Sequence, residues 1–214
     1  MRKTKTVAVM VLLAGLFLWG CGDNQSGDSE MEVEAAEEMT AEVEVGKDGS
    51  ITETLVEDFA EDYYDEESLR TMILSESAEF TRNHAGEKVS VDKLEQKDGV
   101  VTLQISYSSA EVYSEYNTDE YNSKNLFWGT VKEAYDAGYS LDVSLQDVKG
   151  ENTIGRQELL EMGEQYILIS ENPMQVKVPG KIQYASSNVT VSGKSEARFS
   201  GDEAASDKYY IIYK

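Results

Sequence analysis

The chain carries a single cysteine, Cys21, at the close of its first apolar run. Arg2, Lys3 and Lys5 precede a stretch from Val7 to Leu18, and Leu18-Trp19-Gly20-Cys21 ends it. This is the layout of an export signal finishing in a lipid-modification site. A thiol consumed by acylation leaves none in the rest of the chain, which excludes disulfides, cysteine nucleophiles and cysteine-ligated zinc. Whatever folds after Cys21 must then fold on its hydrophobic core alone.

Two other readings of the leader fit less well. A spanning helix needs about 20 apolar residues, and Val7 to Gly20 is too short, with Asp23 close behind it. An ordinary secretory signal ends in a small-x-small site, and no Ala-x-Ala lies near Cys21. The motif resembles the lipobox of bacterial lipoproteins, in which the leader is cut before the cysteine and the thiol carries a diacylglycerol. Leu18 and Gly20 match that pattern, whereas Trp19 is bulkier than the usual residue. The resemblance implies a lipoprotein signal peptide over 1–20, lipidation of Cys21, and an extracytoplasmic protein anchored to the cell membrane through that covalent lipid.

The full chain has a formal charge of −22, and loss of the leader's three basic residues leaves 16 Lys and Arg against 41 Asp and Glu, or −25. Nucleic acid is excluded as a partner by sign, because phosphate recognition needs a basic surface. Anionic lipid headgroups repel such a chain as well. A covalent lipid overcomes that repulsion, each buried CH₂ contributing about 0.8 kcal/mol.

Residues 21–45 read as an acidic flexible tether. Nine acidic residues and no basic one lie between Cys21 and Val45. Uniform charge and few apolar groups do not offset ordering entropy. The alternatives are a short amphipathic helix from Glu30 to Glu44, or a strand beginning in the alternating Glu42-Val43-Glu44-Val45.

Residues 46–214 are long enough for one globular domain, with a change of character near 135–140 that admits a second boundary. Ile51 to Phe59 reads as a strand. Asp65 is a plausible N-cap for a helix whose Leu69, Met72, Ile73 and Phe80 recur on one face, with Gly86 as its stop. Lys88–Glu95 and Val100–Tyr107 flank Lys97-Asp98-Gly99 as a hairpin. Ser108 or Ser109 caps a short helix through Val112, Tyr113 and Tyr116, and Leu126–Val131 returns as a strand. The order is that of a split βαβ unit. Leu141, Val143 and Leu145 alternate as a strand, Gln157–Met162 forms a helical turn, and six short strands follow from Tyr166 to Tyr213 between turn clusters. The fold class is therefore α+β: a mixed or antiparallel sheet with two helices, then a β-rich C-terminal meander.

The candidate sites are few. His84, the only histidine, falls in the last turn of the first helix, where an imidazole suits the helix dipole; a zinc site there would need carboxylates or waters for its other ligands. Glu57, Asp58, Glu61, Asp62, Asp65, Glu66 and Glu67 raise the question of calcium, but the EF-hand spacing is absent, and a solvated connector plus a helix N-terminus accounts for them. Tyr63, Tyr64, Tyr107, Tyr113, Tyr116, Tyr121, Phe127 and Trp128 stack either in a core or on sugars and protein partners. The G-x-S-x-G, P-loop, H-E-x-x-H and S-x-x-K patterns are all missing. Forty-one acidic residues make carboxylate pairs inevitable and so uninformative.

With its lipobox, acidic tether and the run Gly-Thr-Val-Lys-Glu-Ala-Tyr-Asp-Ala-Gly-Tyr from Gly129 to Tyr139, the chain resembles uncharacterised small lipoproteins of clostridial Gram-positive bacteria. That resemblance implies a surface-exposed envelope protein and brings no catalytic residues with it. The expectation is a non-catalytic binding or interaction module of the cell envelope, without cofactor, whose partner is an envelope protein or glycan. The alternative is a carboxylate-based hydrolase acting on envelope or environmental glycans.

Overall fold

A computed structural model describes residues 41–59, 65–118, 124–200 and 208–214. Cys21 and all of the leader lie outside them. The strands are β1 (Glu42–Val45), β2 (Ile51–Asp58), β3 (Val89–Lys97), β4 (Val100–Tyr107), β5 (Leu126–Thr130), β6 (Leu145–Asp147), β7 (Thr153–Ile154), β8 (Tyr166–Ser170), β9 (Met174–Lys177), β10 (Ile182–Ala185), β11 (Val189–Ser192), β12 (Glu196–Phe199) and β13 (Tyr209–Tyr213). The helices are α1 (Glu66–Asn83), α2 (Ala110–Tyr116), α3 (Val131–Asp136) and α4 (Arg156–Glu161). Among the described residues no helix is long and apolar enough to cross a membrane.

The strands form two sheets. One has seven strands in the order β11-β12-β9-β1-β2-β4-β3, and the other six in the order β5-β8-β13-β10-β6-β7. Among the described residues only the β1–β9 pair is parallel, so the α+β reading with a mixed sheet holds. The segment β2-α1-β3-β4 is a split βαβ unit: β4 lies between β2 and β3 and is antiparallel to both. The unit stops there. Leu126–Thr130 joins the other sheet beside β8, and its place next to β2 is taken by β1.

Residues 42–45, placed above at the end of the tether, are therefore part of the folded domain. Val43 and Val45 are buried while Glu42 and Glu44 face solvent, the period-two alternation of a half-buried strand. The reverse case is Leu141 to Val143, which alternate in sequence but do not pair; only Leu145–Asp147 is strand. Leu141 is nonetheless buried in an irregular path.

Burial follows the two faces of the second sheet. Tyr209, Ile211 and Tyr213 pack against the seven-stranded sheet with Leu168, Met174 and Phe199. Tyr210 and Ile212 point the other way, onto Val131 and Ala134 of α3 and Leu159 of α4. A strand covered on both faces has no polar side to present, which explains the unbroken Tyr-Tyr-Ile-Ile-Tyr of β13. Fully burying each isoleucine contributes about 2–3 kcal/mol.

Local chemistry fixes the elements that carry the site. Asp65 accepts from the Ser68 amide at 2.6 Å and starts α1. Ser109 accepts from the Val112 amide at 3.2 Å and starts α2. The β3–β4 turn puts Asp98 and Gly99 at positive φ, as a tight hairpin turn requires. Ile73 and Phe80 of α1 are buried, and so α1 lies over β3 with its C-terminus next to α2.

Candidate metal centre

Three side chains converge where α1 ends and α2 runs past it. His84 is the C-cap of α1, Glu87 follows in the turn before β3, and Glu115 projects from α2. One ligand atom of each lies within 4.8 Å of the others. The backbone that holds them is tied down: the Glu87 amide donates to the His84 carbonyl at 3.1 Å, and the Ser108 amide to the Lys88 carbonyl at 2.9 Å. That second bond joins the turn bearing Glu87 to the entry of α2.

The imidazole is oriented from behind. Nδ1 lies 2.9 Å from the Phe80 carbonyl oxygen, so Nδ1 carries the proton and donates. The Phe80 ring stacks on the imidazole with centroids 4.0 Å apart. Nε2 thereby lies 3.1 Å from Oε1 of Glu115. A histidine that ligates a metal through one nitrogen characteristically donates the other N–H to a carbonyl or carboxylate. The Phe80 carbonyl raises the His84 pKa most, burial opposes it, and the charges of Glu115 and Glu87 add to the rise.

Glu87 supplies the most specific observation. Its Oε2 atom is buried and has no hydrogen-bond partner, although a carboxylate oxygen without a partner is costly to bury. A cation shared with His84 Nε2 and Glu115 would satisfy it. Ligands about 2.1 Å from a tetrahedral zinc sit roughly 3.4 Å apart, so the His84–Glu115 separation already fits. The His84 and Glu115 side chains remain 33% and 49% exposed, which leaves room for water at the open side of the ion. Three protein ligands plus an open position is the arrangement of hydrolytic metal sites, whereas structural sites are closed.

This cluster overturns the expectation of a non-catalytic binding module without enzymatic activity. His84 is indeed a helix-terminal residue, and it is also one of three groups able to coordinate a metal. The sequence reading named no partner for it. The signal was present in His84-Ala85-Gly86-Glu87, whose spacing brings two ligands to one turn; Glu115 had none, because only the fold places α2 there.

The other candidate residues fall elsewhere. Among the described residues, His84, Glu87 and Glu115 are the only such group. Of the acidic stretch, Glu61 and Asp62 lie outside the described residues, Asp65 caps α1, and Glu66 pairs with Arg70. Tyr107, Tyr113 and Tyr116 are core residues; Tyr107 and Tyr113 donate to the buried Glu53. Phe127 and Trp128 are half-buried. Tyr63, Tyr64 and Tyr121 lie outside the described residues. Comparison with family profiles, curated proteins and solved structures finds no match for this chain.

Proposed function

We propose that this chain is a hydrolase of the cell envelope, anchored by a lipid on Cys21, in which His84, Glu87 and Glu115 hold a divalent transition metal and the substrate is a glycan. The observation that carries the reading is the unpartnered, buried Oε2 of Glu87, a residue whose carboxylate lies within 4.8 Å of ligand atoms of His84 and Glu115, with His84 Nε2 3.1 Å from Glu115 Oε1. One imidazole and two carboxylates suit zinc, manganese, iron or cobalt rather than calcium. Two carboxylates also balance the charge of a divalent ion. The leader ending in Cys21 supports the extracytoplasmic address.

The chemistry such a site performs is metal-assisted hydrolysis. A bound divalent ion lowers the pKa of its water toward neutrality and polarises a carbonyl. Held by His84, Glu87 and Glu115, the ion would supply an activated water for hydrolysis of an acyl bond, in which the hydroxyl would go to the carbonyl carbon and the proton to the leaving nitrogen or oxygen.

Zinc titration of the full chain by calorimetry is expected to give one site per chain, lost in His84→Ala and weakened in Glu87→Gln and Glu115→Gln. Acyl groups released from acetylated envelope glycans, followed by acetate assay, are expected to vanish with a chelator and return with zinc. Zinc uptake unchanged in His84→Ala, or acetate release indifferent to chelation, would overturn the reading.

A further inference from the structure

Strand β5 forms one edge of the six-stranded sheet, and its outward backbone groups are accounted for at every position but one. The Glu171 amide bonds the Asn125 carbonyl, and the Val131 amide bonds the Gln165 carbonyl. These odd-numbered residues therefore face β8, and in an antiparallel pair the alternate residues turn their N–H and C=O away. Leu126 is covered by α2: its amide donates to Ser114 Oγ at 2.9 Å, and the one proton of that hydroxyl is shared between the Ala110 carbonyl at 2.9 Å and the Leu126 carbonyl at 3.2 Å. Thr130 is closed off by its own capping box, with its amide 2.7 Å from Glu133 Oε2. Trp128 lies between them. Among the described residues its backbone N–H and C=O take no partner; they point to the outer edge of β5, and Trp128 lines a cleft of about 490 Å³ bounded by α2, β5, the turn at Gly49 and Tyr139.

We infer that this cleft binds the acetamido group of an N-acetylated sugar, with the N–H and C=O of Trp128 pairing to the amide carbonyl and amide N–H. A single open residue suits a single amide. An added peptide strand needs alternate outward positions in succession, and here Ser114 and Glu133 occupy the neighbours. The side walls suit a saccharide: Phe127 and Tyr139 meet with ring centroids 4.6 Å apart at 47°, and with the Lys208 ammonium 5.3 Å from the Tyr139 centroid the exposed part of this aromatic corner is left for the apolar face of a pyranose. Ser109, Glu111 and Asn125 stand at the polar margin. The Trp128 ring is not itself a platform, because it packs on Gly49 and stacks on Tyr166 at 5.3 Å.

Charge points the same way. Asp48 and Glu111 line the cleft of a chain with net charge −22, which disfavours phosphorylated or uronic ligands and admits a neutral amino sugar. The cleft also adjoins the metal centre. Glu111 on its rim and Glu115 in the cluster are one turn apart on α2, about 6 Å between Cβ atoms. The inference rests on the hydrolytic reading for the fate of the bound sugar, while its capture depends on the cleft alone.

The test titrates the full chain in detergent with chitotriose, cellotriose and N-acetyl-alanyl-alanine amide. Chitotriose is expected to bind roughly tenfold or more tighter than cellotriose, which lacks only the acetamido groups. Its binding is expected to slow hydrogen exchange at the Trp128 amide, to weaken in Tyr139→Ala, and to persist in His84→Ala. Equal affinity for the two sugars, tighter binding of the dipeptide, an unprotected Trp128 amide, or no binding of chitotriose at all would each overturn it. Capture retained by His84→Ala while the wild type releases no acetate would sink the hydrolytic reading and leave the cleft standing.

Discussion

Lys124 places its ammonium 3.2 Å from Oε1 of Glu53, a carboxylate that is 1% exposed on the inner face of β2. Two phenols complete the shell, Tyr107 at 2.9 Å and Tyr113 at 3.3 Å. Burial, and then the charge of Glu53, raise both phenol pKa values well above the ordinary range, so both remain neutral donors. A buried carboxylate among Val, Ile and Leu is tolerable only with this full complement. Removing the ammonium leaves an incompletely paired charge. Lys124→Met is expected to lower stability by about 3 kcal/mol, read from urea unfolding. Glu53→Gln/Lys124→Met is expected to lose less than the sum of the single changes, and strict additivity would show that the pair is not coupled.

The second prediction concerns acid. Asp147 closes the β6–β7 loop by accepting from the amides of Lys149, Glu151 and Asn152 and from the Asn152 side chain at 2.7 Å. The Asn152 side chain first, then the backbone donors, hold its pKa below the usual carboxylate value. A depressed folded-state pKa means stability that is present above the unfolded value and lost as pH falls through the folded one. Glu171, held down by Lys208 and Asn125, acts in the same direction. Glu57 and Glu76 are raised by burial and act oppositely, losing their contribution as pH rises. Urea midpoints from about pH 6 to about pH 3 are expected to fall for the wild type and to fall less steeply for Asp147→Asn. Parallel profiles would remove Asp147 from the account.

A third prediction separates backbone strain from side-chain crowding. Gly49 has φ +84° and a Cβ there would enter the six-membered ring of Trp128, whereas Gly193 has φ +82° with open space around it. Gly193→Ala is expected to cost about 1 kcal/mol from conformation alone. Gly49→Ala is expected to cost about 2–3 kcal/mol, because ring displacement adds to strain. Thermal unfolding of the two variants gives the comparison, and equal losses would mean that Trp128 moves freely.

Turn and cap signals in the sequence were reliable, and strand pairing was not. Asp98-Gly99, the Asp65 cap and the alternation of Glu42-Val43-Glu44-Val45 each record chemistry settled within a few residues, and each element formed where that chemistry put it. The sheet that β5 joins is decided by which edge accepts Leu126–Thr130, and nothing within those five residues encodes that choice. Leu141 and Val143 alternate as a strand does, yet burial alone satisfies them without a pairing partner. The metal cluster shows the same division. His84 and Glu87 share one turn, a spacing the sequence reading passed over, while Glu115 reaches them only because Ser108 ties the start of α2 to Lys88.

The last prediction concerns the anchor. The leader's basic residues, its apolar run and the Leu18-Trp19-Gly20-Cys21 order support lipidation at the one thiol in the chain. Cys21→Ser removes the acceptor atom without changing size or the residues around it. In cells fed labelled palmitate, the wild type is expected to take up label and sediment with membranes, and Cys21→Ser to do neither. Proteolysis of the lipidated form is expected to cut between Cys21 and Ala41, where charge is uniformly acidic, and to release a core beginning at β1. That core should keep its zinc uptake, since His84, Glu87 and Glu115 all lie beyond the cut. Label retained by Cys21→Ser would put the lipid elsewhere, and a first cut after Val45 would detach β1 from the domain.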